Sequence, residues 1–255
     1  MPTPQTAWSP LEPQALSAAA GPAWSVTLLS TATSTNAVAA ERPVAGTIVV
    51  ADHQTAGRGR LDRTWETPPG SALTFSAVVD PRLPDAHWPL LPLAVALATA
   101  EGVRRATGVE VGLKWPNDLL VDDLKVAGIL LERVEAAGAP VAVVGIGINV
   151  AMSADQLPVP TATSLALAGA EVDRTAVFRG VVEALGAELA ALSENPTGVL
   201  DRYRAACTTL GRAVRVDLPD GTSFTGTAES VDEHGRLVVD GRVVGAGDVV
   251  HVRDA

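Results

Sequence analysis

The chain reads as an α+β protein: an antiparallel sheet with helices, followed by a small C-terminal β-barrel. Three observations lead there. Strand-like runs crowd into residues 111–115, 119–121, 124–132 and 141–150, and strands joined by such short turns form an antiparallel meander. Helical spacing is confined to blocks such as 90–107 and 174–193. From Gly211 onward every run is short and bounded by Gly, Asp or Pro.

In chain order, residues 1–24 are poorly patterned and read as a loose tail with a short helix near 13–20. Residues 26–29 form a short strand, and Thr33 or Ser34 caps a helix reaching Ala40. The β-branched run 47–51 is a buried strand. Residues 53–70 are polar and rich in Gly and Arg, a long loop of the kind that carries function. A strand at 72–79 precedes a core helix at 90–107, with Pro89 near its start. After the meander come helices at 174–193 and 197–205. Strands at 213–217, 223–231, 236–239 and 249–253 then complete the barrel.

With 255 residues, 47% of them apolar and 19% charged, the chain is long enough for a real core and is not a disordered sequence. Its formal net charge of −10 argues against nucleic-acid binding, which needs Lys and Arg to displace counterions. The single cysteine, Cys207, excludes an internal disulfide and suits a reducing compartment. No basic residue precedes Arg42, and the longest apolar runs fall short of the roughly 20 residues that cross a bilayer. A soluble cytoplasmic protein is expected.

Of 19 basic residues only Lys114 and Lys125 are lysine, and both lie in one short stretch. An ammonium is a compact point charge that a planar guanidinium does not replace, so this placement points to a site. In Gln54-Thr55-Ala56-Gly57-Arg58-Gly59-Arg60, glycines let the backbone turn while arginines offer bidentate donors to phosphate or carboxylate. Arg63 and the flat ring of Trp65 follow, although a solvated basic turn would look the same in isolation. Lys114-Trp115-Pro116-Asn117-Asp118 puts polar groups where a strand meets a turn; a plain Pro-Asn-Asp turn is the alternative. In 124–130, Lys125, Ala127 and Ile129 share one strand face. Lys125 is then a half-buried cation needing an anion, or an edge-strand lysine that blocks aggregation. Gly128 suggests close approach of a ligand or another backbone. Gly145-Ile146-Gly147-Ile148-Asn149 lacks the third glycine of a dinucleotide fingerprint and reads as a strand packed through small residues. Thr33-Ser34-Thr35-Asn36 reads first as a helix N-cap, where free N–H groups also suit an anion. No catalytic triad is visible, and the four histidines lack metal-ligand spacing; His87, His234 and His251 read as surface residues.

Taken in order, these motifs resemble those of the biotin protein ligases, over about residues 25–255. The resemblance implies a mixed sheet with helices, related to class II aminoacyl-tRNA synthetases, over 25–207 and an SH3-like domain over 208–255. It implies a two-step reaction: the biotin carboxylate attacks the α-phosphate of ATP, and a lysine of a biotin carboxyl carrier protein then takes biotin from biotinyl-5′-AMP. Lys125, Arg60 and Asp118 are the implied catalytic residues. Ser34, Thr35, Asn36, Gln54, Gly57, Arg58, Gly59, Arg60, Lys125 and Gly128 would surround biotin. Arg58, Arg60, Arg63, Trp65, Lys114, Asn117, Lys125 and Asn149 would surround ATP or the adenylate, with Asn117 and Asp118 either touching the nucleotide or orienting the acceptor amine. Mg²⁺ is expected with ATP, through ligands the sequence does not identify. The loop 53–70 is expected to order on ligand binding, and the protein to be a monomer or weak dimer.

Some members of that family carry an N-terminal DNA-binding domain, and no basic helical domain precedes Thr33 here, so a ligase without repressor activity is expected. A lipoate–protein ligase and a non-catalytic biotin-binding regulatory protein are the alternatives.

Overall fold

The computed structural model describes residues 10–60, 63–136 and 138–252. Its elements run α1 (Pro13–Ala20), β1 (Ser25–Leu29), α2 (Thr35–Glu41), β2 (Thr47–Ala51), β3 (Ala72–Val79), α3 (Leu91–Thr107), β4 (Gly112–Lys114), β5 (Asp118–Val121), β6 (Leu124–Glu135) and β7 (Pro140–Asn149). Two helices follow, α4 (Arg174–Glu194) and α5 (Pro196–Ala206), and then β8 (Ala213–Asp217), β9 (Ser223–Val231), β10 (Leu237–Val239), β11 (Arg242–Val244) and β12 (Asp248–His251).

The first sheet has seven strands in the order β1-β2-β3-β7-β6-β5-β4. It is mixed: β1 and β2 are parallel, and the other pairs are antiparallel, with β4 to β7 forming the meander. Alternation along each strand divides its side chains between two faces. Ile48, Val50, Leu73, Phe75, Val144 and Ile146 pack into the main core with α3 and α4. Val49, Val78, Val141 and Val143 face the other way, against α2. One face is thus sealed by long helices, while the other carries only one short helix and leaves room for a site.

Local chemistry sets the helix ends. Asp173 caps α4 by accepting from Thr175 N at 2.8 Å and Ala176 N at 3.3 Å. Gly108, at φ 73°, ends α3 in the left-handed conformation that glycine adopts without steric cost. The segment before β1 is not loose over its described residues. Leu16 of α1 is fully buried, and Leu11, Ala19 and Ala20 join the main core, because an Ala-rich helix with one apolar stripe docks against α4.

The C-terminal strands form a five-stranded antiparallel sheet, ordered β11-β10-β9-β8-β12. The long β9 pairs with β8 on one side and β10 on the other. Strand β11 was not among the expected runs; the Asp240-Gly241 turn folds it back on β10. Trp115 joins the two sheets. The expected strand 111–115 stops at Lys114, and the Trp115 indole is buried, donating from Nε1 to Gly235 O at 2.9 Å. Its backbone N–H donates to Thr209 Oγ1 at 3.1 Å. Among the described residues, no helix is long and apolar enough to cross a membrane.

Candidate active site

The site lies on the thinly covered face, where β3, β7 and β6 present small residues. Thr74, Gly145, Gly147 and Gly128 line a cavity of about 120 Å³. The two β7 glycines are required by what sits above them. A Cβ at Gly145 would collide with Asn36 Oδ1, and one at Gly147 would stand 2.7 Å from Trp65 Cε2. The small residues expected to serve strand packing therefore receive side chains of the site itself.

At one end, the start of α2 and the loop join in a buried polar network. Gln54 Oε1 accepts from Thr35 N at 2.7 Å and from Thr35 Oγ1 at 3.2 Å. Ser76 Oγ lies 2.7 Å from Thr35 Oγ1 and 2.6 Å from Asn36 Oδ1. Asn36 Nδ2 donates to Leu130 O at 3.2 Å and Glu132 Oε2 at 2.7 Å, so both of its amide hydrogens have protein acceptors. Ser34 occupies the N-cap position of α2, but its side chain makes no capping bond; the residue lines the cavity.

The Gly-Arg loop folds over the cavity as a flap. Arg58 and Thr64 form a bridge, Trp65 N donates to Gly57 O at 2.8 Å, and Gly59 N donates to Arg63 O at 2.6 Å. This hairpin turns the Trp65 ring onto the sheet. Arg58 pairs with Glu132 at 3.2 Å, and Arg63 pairs with Asp248 of β12. Burial pushes the Arg60 guanidinium below its ordinary range, opposed by the charges of Asp248 and Asp118. A guanidinium keeps its proton, so a half-buried one favours an anion beside it.

Lys125 is aimed into this space by a β-bulge. Leu119 pairs with Ala127 and Leu120 with Lys125, so Val126 is an extra residue on β6. Ala127 and Ile129 point into the main core, whereas Lys125 shares the cavity side with Gly128. The common face expected for Lys125, Ala127 and Ile129 is corrected accordingly, since a bulge reverses the alternation. Lys125 is on a central strand, not an edge one. Residues 161–163 hold its backbone: Lys125 N donates to Thr161 O at 2.7 Å and Thr163 N to Lys125 O at 2.8 Å. Its Nζ lies 2.5 Å from Asp118 Oδ1 and 5.6 Å from the Trp65 ring centroid. Asp118 Oδ2 also takes Lys114 Nζ at 3.3 Å. Burial raises the Asp118 pKa, but the charges of Lys125 and Lys114 outweigh it and hold the carboxyl below its ordinary value.

Beyond Trp65 the cavity meets a groove of about 800 Å³ between the two sheets, walled in part by Val159, Val250 and His251. Six residues line both spaces: Arg63, Thr64, Trp65, Asp118, Lys125 and Asp248. Across the two spaces six cations, Arg58, Arg60, Arg63, Lys114, Lys125 and Arg212, face four carboxylates, Glu66, Asp118, Asp123 and Asp248, a local excess of positive charge in an acidic protein.

Residues 27–149 match the Biotin/lipoate A/B protein ligase family, and 209–252 match the Biotin protein ligase C terminal domain. The biotin--[acetyl-CoA-carboxylase] ligase of Mycobacterium tuberculosis is 40% identical over 82% of this chain and 80% of its own. The chain belongs to the biotin protein ligase family. The bifunctional ligase/repressor BirA of Bacillus spizizenii is 33% identical over 76% of this chain and 62% of its own. A biotin protein ligase from Aquifex aeolicus, solved in complex with biotin and ATP, superposes with a TM-score of 0.77 at 28% identity, covering 90% of this chain and 99% of that one.

Against this biotin protein ligase fold, the residues singled out in the sequence converge. Those that the resemblance assigns to the site all line the cavity except Gly57, Lys114 and Asn149. Lys114 and Asn149 line the groove instead. Gly57 is buried under the flap, where a Cβ would meet Gln54 Nε2 at 2.7 Å. Asn117 turns back to donate to Ile129 O at 2.8 Å, and Asn149 donates to Thr163 O at 2.9 Å, which steadies the segment that grips Lys125. Sequence reasoning missed Ser76, Glu132 and Asp248. Ser76 and Glu132 are ordinary polar residues in strand-like runs and Asp248 stands just before one, and only the sheet register and the second domain bring them to the site. It also took His251 for a surface residue; its Nε2 lies 3.1 Å from Thr209 Oγ1 at the groove.

Proposed function

We propose that the protein adenylates biotin and transfers it to a lysine of a biotin carboxyl carrier protein; one relative is named as a ligase of biotin and acetyl-CoA carboxylase, and a structural neighbour was solved with biotin and ATP. One observation carries this reading: a cavity and a groove meet at Lys125, Asp118 and Trp65 under an excess of positive charge. Biotin would occupy the cavity, with Ser34, Thr35 and Gln54 around its ureido ring. The nucleotide would occupy the groove, with Arg60 and Arg63 toward its phosphates and Asn149 beside it.

A biotin carboxylate oxygen attacks the α-phosphorus, and the bond from that phosphorus to the pyrophosphate oxygen breaks. Two anions must approach closely for this, and Lys125 at the junction offsets their repulsion. The carrier's lysine amine then attacks the carbonyl of the mixed anhydride, AMP leaves, and the amine's proton is lost. Neither step needs an enzyme nucleophile; alignment, charge and exclusion of water suffice. The flap supplies exclusion, with Trp65 covering the junction of cavity and groove. Asp118 orients the lysines and holds their charge until phosphate arrives. Among the described residues, no group of three or more His, Cys, Asp or Glu side chains is placed to hold a metal. Mg²⁺ usually binds through phosphates, waters and one or two carboxylates, so it would enter with ATP. The catalytic unit ends near 207, and the C-terminal sheet contributes Asp248 and His251 to the groove.

The test is pyrophosphate release from ATP in the presence of biotin or of lipoate, followed by transfer to a carrier domain. Release with biotin alone is expected. Release only with lipoate would favour the other branch of the matched family, and binding of biotin without release would leave a regulatory protein.

A further inference from the structure

Glu132 lies outside the cavity, yet it grips two groups that line it. Its Oε2 accepts from Asn36 Nδ2 at 2.7 Å, and its two oxygens take Arg58 Nη2 at 3.2 and 3.4 Å. The first contact decides how the Asn36 amide is turned. With Nδ2 on Glu132 and Leu130 O, the amide oxygen faces Ser76; the flipped amide would set oxygen against carboxylate. The second contact holds the flap. Arg58 directly follows Gly57, whose carbonyl accepts from Trp65 N, so a fixed Arg58 also fixes the root of the Trp65 ring. Glu132 is therefore the one carboxylate among the described residues that joins the start of α2 to the flap, across the end of the cavity away from Lys125.

We propose that Glu132 is a positioning residue that keeps the flap closed over the vitamin end of the cavity, an inference that rests on the biotin reading above. It touches no reacting atom. Its effect belongs in how tightly and how long biotin is held, and not in the chemical step. The two contacts separate by substitution: Glu132→Gln keeps an acceptor for Asn36 but loses the charge facing Arg58, and Glu132→Ala loses both.

The experiment uses the full chain, with biotin affinity by calorimetry, steady-state kinetics in biotin, and tryptic cleavage after Arg58, Arg60 and Arg63 in the unliganded protein. Glu132→Gln should weaken biotin binding about 2- to 5-fold, the span of an exposed ion pair. Glu132→Ala should weaken it about 10- to 100-fold, the span of a hydrogen bond to a charged group. The loss should appear in KM, with kcat at saturating biotin held within about twofold. In an Arg58→Met background, Glu132→Gln should add nothing, whereas a merely structural role would add its cost in full. Flap cleavage should speed up in the order wild type, Glu132→Gln, Glu132→Ala. Wild-type affinity in Glu132→Ala, additive losses with Arg58→Met, or a fall in kcat at unchanged KM would each overturn the proposal. If the wild type does not bind biotin, the functional reading fails by itself, and the cleavage order still decides whether Glu132 tethers the flap.

Discussion

Asp118 and Lys125 form an ion pair at 2.5 Å across neighbouring strands, and the same carboxylate takes Lys114, so one acid holds both lysines of the chain. The carboxyl is held below its ordinary pKa, burial being outweighed by the two ammonium charges. A depressed folded-state pKa stabilises the protein above the unfolded value near pH 4, and this contribution is lost as pH falls through the folded value. Asp118→Asn should therefore melt below the wild type at pH 7, and the gap should close below about pH 4. Melting temperature against pH checks this; a gap that stays constant into acid would remove the linkage.

The Trp65 ring seats on Gly147, where a Cβ would come within 2.7 Å of the indole. Gly147→Val should unseat the ring and weaken biotin binding about 5- to 150-fold, the equivalent of an overpacking cost of about 1–3 kcal/mol. Because the ring is on the flap and not in the core, the melting temperature should move little. Trp65→Ala in the same chain should recover part of the affinity by giving the valine room. Calorimetry with biotin measures both variants, and additive losses would contradict the contact.

Trp115 docks the C-terminal sheet through its indole N–H and Gly235 O. Trp115→Phe deletes the donor together with three heavy atoms of a buried ring, and the donor's share of the cost is about 1 kcal/mol. For a chain of this size that lowers the melting temperature by about 2–4 °C. A thermal scan checks it; an unchanged midpoint would mean that the bond contributes nothing to docking.

The sheet, its helices and most of the lining of the candidate site could be read from residue order. The run 47–51 is buried on both faces and β-branched, and the structure starts and ends it at the same residues. The Gly-Arg loop and the two lysines stood out because composition made them rare or locally dense. What stayed hidden depends on register and on distant contacts. Nothing in 124–130 announces that Val126 is an extra residue, so Lys125 was placed on the wrong face of a correctly expected strand. Glu132 and Asp248 gain their meaning from flap arginines 74 and 185 positions away in sequence, and no local pattern carries that pairing. Docking of α1 was missed because Pro, Ala and Ser look like a tail until α4 offers Leu16 a surface.

In the proposed reaction, Lys125 at the junction of cavity and groove is the residue on which the chemistry would turn. The most direct measurement is the single-turnover rate of biotinyl-adenylate formation by Lys125→Ala, with biotin affinity and circular dichroism measured on the same sample. The fold should be retained, the adenylate should form about 10²–10³-fold more slowly, as when one charge-stabilising group is lost, and biotin should still bind. Adenylate forming at the wild-type rate would mean that this ammonium does not hold the two anions together.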